Sequence, residues 1–138
     1  MFLGVALALA SPCKAQVNVT HFDEARWKAA EVGSAVSIRG AMVEDLVRNR
    51  HLRRLQRGAI HALLGKPMPY ELTPENEDWY VIEERYHNES DHFETPCLQR
   101  HLVIEYVSRT QAVASLSIDT AADAPGTKKV RTTRVFIK

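Results

Sequence analysis

The chain is poor in the features that most readily announce a chemistry. It holds two cysteines, Cys13 and Cys97, in 138 residues, too few for a zinc-binding cysteine set or a dense disulfide framework. Its formal net charge is +1, so no global field draws it to nucleic acid or an anionic membrane. The apolar run Met1 to Ala10, MFLGVALALA, is too short for a bilayer-spanning helix of about 20 residues. No GxSxG, no HExxH, no phosphate-gripping glycine loop, no repeat and no low-complexity tract occurs. His87, Asp91 and His92, with Glu89 between them, have a spacing that a metal can use, but no second cluster supports them. His51, His61 and His101 read as surface residues. The sequence offers no catalytic argument, and no metal or cofactor is expected.

What the chain does have is a helical pair. Within RGAMVEDLVRNRHLRRLQRGAIHALLGKP (39–67), Met42, Val43, Leu46 and Val47 share one helical face, and Ala59, Ile60, Leu63 and Leu64 repeat the pattern. Gly65 supplies a left-handed C-cap with positive φ, and Pro67 forbids continuation. Helices this short are unstable alone and must bury their stripes against another layer. That layer is legible further on. Glu77 to Glu83 reads as a strand with Trp79 and Tyr80 on opposite faces. Along Gln99 to Val107, Leu102, Ile104 and Tyr106 alternate with His101, Val103 and Glu105. Ala112 to Ile118 sets Ala112, Ala114, Leu116 and Ile118 against Val113, Ser115 and Ser117, completing an antiparallel hairpin with one buried face. Leu46, Ile60, Leu63, Leu64, Leu102, Ile104 and Leu116 are the expected core. Phe22 to Val32 adds a helical turn or two anchored by Trp27. DTAADAPGTKK (119–129) reads as a linker, and RTTRVFIK (131–138) as an edge strand or a tail.

Phe22, Asp23 and Trp27, then Arg39-x-x-Met42-x-x-Asp45-Leu46, Leu52, and Ile60-x-x-Leu63-Leu64-Gly65-x-Pro67, resemble the BamE/SmpA (OmlA) type of small bacterial envelope lipoprotein. The likeness runs more weakly through Trp79-Tyr80, Cys97-Leu98 and Leu102 to Tyr106. It implies an α+β fold in which two short helices pack on one face of a three-stranded antiparallel sheet, ααβββ, with a C-terminal edge strand as an optional addition. It also implies a non-enzymatic accessory role in outer-membrane assembly. The connection departs from the pattern. Arg54 and Gln56 stand where similar sequences have a Gly and a capping Ser or Thr, so the second helix lacks a good N-cap.

The N-terminus reads as an export signal over residues 1–15, followed by one domain over 16–118. Ala8-Leu9-Ala10 and Cys13-Lys14-Ala15 both satisfy a small-x-small cleavage rule. Cleavage after Ala15 leaves Cys97 alone, whereas cleavage after Ala10 leaves Cys13 and Cys97 able to pair in an oxidising periplasm. The family's acylated cysteine would make Cys13 the one route to a membrane, although Pro12 stands where a lipoprotein signal has a small residue.

Charge is uneven locally. Arg48, Arg50, Arg53, Arg54 and Arg57 cluster between positions 48 and 57, and residues 75–94 carry eight carboxylates against Arg85. These blocks read either as two solvated faces or as a polarised surface that meets a partner. The leading expectation is a periplasmic, outer-membrane-associated interaction module with an envelope protein as partner. Its binding residues would be Tyr80, Glu83, Glu84, Tyr86 and Glu89, in a long, charged, aromatic-bearing segment that the core does not demand. An exported inhibitor with a β-lactamase-inhibitor-like unit is one alternative. A helix-turn-helix nucleic-acid binder is another, disfavoured because beyond Arg57 the second helix presents only Gly58, His61 and Ala62 outward.

Overall fold

A computed structural model describes residues 20–30, 37–69, 73–86, 97–123 and 130–138. Helix α1 (Glu24–Ala29) starts where Asp23 accepts the Arg26 amide at 2.9 Å, a side-chain N-cap. Helix α2 spans Ser37–Asn49, a 3₁₀ turn Leu52–Arg54, and helix α3 Arg57–Leu64. Four strands follow: β1 (Glu77–Arg85), β2 (Leu98–Tyr106), β3 (Val113–Asp123) and β4 (Val130–Phe136), antiparallel in the order β1-β2-β3-β4. The chain is thus mixed α+β with its helices first. Residues 131–136 form the edge strand, one of the two readings left open above. Strand β3 runs past Ile118 to Asp123, so residues 119–123 are sheet and not linker, and the domain extends beyond position 118.

The core lies between the helices and one face of the sheet. Trp27, Met42, Leu46, Leu52, Ile60 and Leu64 meet Tyr80, Ile82, Leu102, Ile104, Tyr106 and Leu116, all almost wholly buried. Leu63 is the exception among the expected core residues: it is only half-buried, packed at the margin. On β3 the alternation breaks because Glu105 pairs with Ser115 while Tyr106 pairs with Val113. Ala114 is the extra residue of that bulge and is exposed, while Val113 turns toward the core. The other face of the sheet is also covered, contrary to the solvent exposure expected for His101. That imidazole is 5% exposed, edge-on to the Trp79 ring at 5.2 Å, and burial holds its pKa below the ordinary value.

Local devices close the helical layer. Gln56 caps α3 without a side-chain hydrogen bond, as its chemistry led us to expect, and the Arg57 amide instead donates to the Gln111 carbonyl at 3.0 Å. Gly65 has φ 83° but ψ −167°. The positive φ is as expected, yet the conformation is an extended one open essentially to glycine, not the left-handed helical cap. Gly40, within α2, allows a close approach that the sequence did not reveal: a Cβ there would stand 2.9 Å from the Ile82 carbonyl oxygen of β1. Cys97 is fully buried and disulfide-bonded. Cys13, the sequence's other cysteine, lies outside the described residues, as do His87, Glu89, Asp91 and His92.

Two glycines should respond oppositely to alanine in urea denaturation. Gly40→Ala should destabilise, because its Cβ meets backbone. Gly58→Ala should stabilise by up to about 1 kcal/mol, since it stands in open space in a helix. Leu102→Ala should cost about 2 to 5 kcal/mol, and Leu63→Ala clearly less. Equal losses at Leu63 and Leu102 would contradict the assigned faces.

Candidate functional site: an internal ion pair and a cationic cleft

Two of the five anchors expected on the acidic segment are internal. Tyr80 is buried in the core and its hydroxyl donates to the Gly65 carbonyl at 2.9 Å, so it is no surface anchor. Glu83 is 2% exposed and bridges Arg85 (3.3 Å) and Arg100 (3.0 Å). The cause is a bulge in β1: Val81 pairs with His101 but Glu83 with Arg100, leaving Ile82 as the extra residue. Strict alternation would have set Glu83 beside Val81, on the face away from the helices. The bulge swings it round to the helix-facing side. Reversing its charge would therefore disturb the fold. Glu84 and Tyr86 remain half-exposed and are joined, the Tyr86 hydroxyl donating to Glu84 at 3.0 Å while Gln99 donates to the other carboxylate oxygen at 3.1 Å. Glu89 lies outside the described residues.

The polar centre of the molecule is one that the sequence reading did not single out. Asp78, on the core face of β1, is 2% exposed. Arg57, the first residue of α3, grips it in a two-point contact, Nη2 to Oδ1 at 2.7 Å and Nε to Oδ2 at 3.3 Å. His61, one turn along α3, places Nε2 at 2.5 Å from Oδ2. Arg57 also donates to the Glu75 carbonyl (2.8 Å) and to Gln111 Oε1 (3.2 Å), and its guanidinium lies 4.8 Å from the centre of the Tyr106 ring. Burial is the largest influence on the Asp78 carboxyl and pushes its pKa up. The hydrogen bonds from Arg57 and His61 outweigh it and hold the pKa below the ordinary value. Burial and the same carboxylate push the Tyr106 hydroxyl up. A signal for this site exists in the sequence: alternation through EDWYVIE puts Asp78 on the same face as Tyr80, and a core-facing carboxylate demands a cation.

A cleft of about 750 Å³ opens among the end of α2, the 3₁₀ turn and β3. His51, in left-handed conformation (φ 50°, ψ 43°), turns the chain from α2 into the 3₁₀ turn and sets Leu52, Arg53 and Arg54 against β3. The floor is apolar, from Val43 and Val47 of α2, Leu52, Ile118 of β3, and Ile137. The rim is cationic, from Arg48, Arg53, Arg54 and Arg100. Arg53 donates to the Ile137 carbonyl. Arg48 pairs with Glu44 at 2.8 Å. Much of the arginine cluster thus stands around one concavity, while Arg57 turns inward. Among the described residues no group of His, Cys, Asp and Glu side chains is placed to hold a metal, and no helix is long and apolar enough to cross a membrane. No protein-family model, curated protein or solved structure matches the chain.

The Asp78 site fixes an acid response. Its folded pKa lies below the unfolded value of about 3.9. The stability that it contributes is therefore complete above about pH 4 and is lost as pH falls through the folded pKa. Asp78→Asn should cost about 3 to 5 kcal/mol at pH 7, because it strips Arg57 of its buried counter-charge. It should also flatten the decline in melting temperature below about pH 4. An unchanged acid profile in the variant would show that another carboxylate governs it.

Proposed function

We propose that the chain is an exported, non-enzymatic protein-interaction module of the BamE/SmpA-like ααβββ kind, working at the periplasmic side of the outer membrane on an envelope protein. The observation that carries this reading is the cationic cleft. It joins an apolar floor to positive charges, an arrangement suited to holding a partner. The polar cluster at Asp78 is by contrast committed to tying α3 to the sheet, with its carboxylate shielded from substrate-sized molecules. Export is supported by the disulfide at Cys97, which belongs to an oxidising compartment. The helices-first order and the antiparallel sheet support the family reading in architecture; the connection departs from it, its weak Gln56 cap offset by the Gln111 carbonyl.

Fractionation and intact-mass analysis under non-reducing conditions test the location. The expected result is a periplasmic chain beginning at Ser11, with Cys13 retained unacylated and Cys97 oxidised. A cytosolic, unprocessed chain with free thiols would overturn it. Crosslinking in intact cells tests the interaction. The wild type should retain an envelope protein that Arg54→Glu loses, at unchanged melting temperature. Equal retention by the variant would remove the cleft from the function.

A further inference from the structure

We propose that the cleft between the end of α2, the 3₁₀ turn and β3 binds an acidic peptide segment carrying one apolar anchor residue. This deepens the interaction reading above and rests on it. The volume, about 750 Å³, lies in the range of roughly 300 to 1,000 Å³ typical of ligand sites. It is ample for one large aliphatic or aromatic side chain with its adjoining backbone. Val47, Ile118 and Ile137, all partly exposed, give that side chain an apolar bed. Val135 of β4, paired with Ile118, adds exposed apolar surface, at 65% exposure.

Charge selects the flanks of the ligand. Glu44 is the one carboxylate side chain lining the cleft, and Arg48 already holds it. Arg100 shares the Glu83 carboxylate with Arg85, two guanidiniums on one anion. Arg53 is exposed and bonds to a neutral acceptor, the Ile137 carbonyl. Arg54 is exposed. Excess positive charge therefore surrounds the apolar floor, and guanidinium forks match carboxylates in two-point geometry. The arginines arise from three separate elements: the last turn of α2, the 3₁₀ turn and β2. A chain with carboxylates on both sides of an apolar residue matches positive charges that border an apolar floor.

Fluorescence anisotropy on the full chain tests this with a short labelled Asp/Glu peptide bearing a central Leu. Two control peptides replace that Leu by Ser, or every acid by Lys. The acidic Leu peptide should bind, weaken with added salt, and weaken at least about tenfold, or 1.4 kcal/mol, in Arg54→Glu. The Ser peptide should bind more weakly and the Lys peptide not at all. Ile118→Ser, which alters the floor and leaves every charge in place, should weaken the Leu peptide but not the Ser peptide. Circular dichroism melting confirms that both variants are folded. The inference is overturned if the Lys peptide binds as well, or if Arg54→Glu binds normally. Displacement of the peptide by phosphatidylserine–phosphatidylcholine vesicles at equal anion concentration would assign the cleft to a lipid surface instead. If no peptide binds while the cellular crosslink still depends on Arg54, this inference fails and the wider interaction reading stands. If the crosslink is also indifferent to Arg54, both fail.

Discussion

Arg57 reaches from the first residue of α3 into the sheet, and four segments meet on its guanidinium. Asp78 comes from β1, the Glu75 carbonyl from the approach to that strand, Gln111 from the β2–β3 turn, and Tyr106 from the end of β2. A buried carboxylate without a cation costs several kcal/mol, so the pair tolerates little sliding of the helix over the sheet. The backbone bond from Arg57 to the Gln111 carbonyl fixes the same joint from the other side. Helix α3 spans only Arg57–Leu64 and could not persist alone. These contacts hold its Ile60 and Leu64 stripe in the core.

A second joint docks the N-terminal leader on α2. Arg39 is buried, donates through Nε to the Trp27 carbonyl at 2.8 Å, and lies 5.2 Å from that ring's centre. Two turns later on α2, Asp45 accepts the Phe22 amide at 2.6 Å, and that bond is the main cause of its lowered pKa. Gly40, between them, lets the helix come close to β1. Phe22, Trp27 and Tyr80 then stack in a tilted series, with centroids 5.8 and 6.4 Å apart. Arg39 and Asp45, the polar members of the motif 39–46, are thus committed to structure.

Periodicity made the larger part of this architecture readable. The apolar spacing placed both longer helices, and alternation placed the central strands, because burial on one face leaves a regular imprint. Bulges erased that imprint locally. The extra residue at Ile82 turned Glu83 inward, and the one at Ala114 exchanged its role with Val113. Composition misled at the edges: residues 119–123 look like linker but are held in the sheet by pairing with both β2 and β4. Charge blocks were the least informative signal. Arg57 and Asp78 sit in opposite blocks and neutralise each other, a long-range pairing that no window of sequence can display. The cleft was invisible for the same reason, since its walls come from segments between 43 and 138.

The division of the arginines underlies the functional reading. Arg39 and Arg57 are spent inside the fold, Arg48, Arg53 and Arg54 stand on the cleft, and Arg100 lines the cleft while also holding Glu83. The most direct test of that division is a double-mutant cycle between Arg57→Ala and Asp78→Ala, read by urea denaturation. A coupling of about 2 to 3 kcal/mol is the result expected if this one pair joins helix to sheet. Additive losses, with a coupling near zero, would show that α3 is held by its apolar stripe alone.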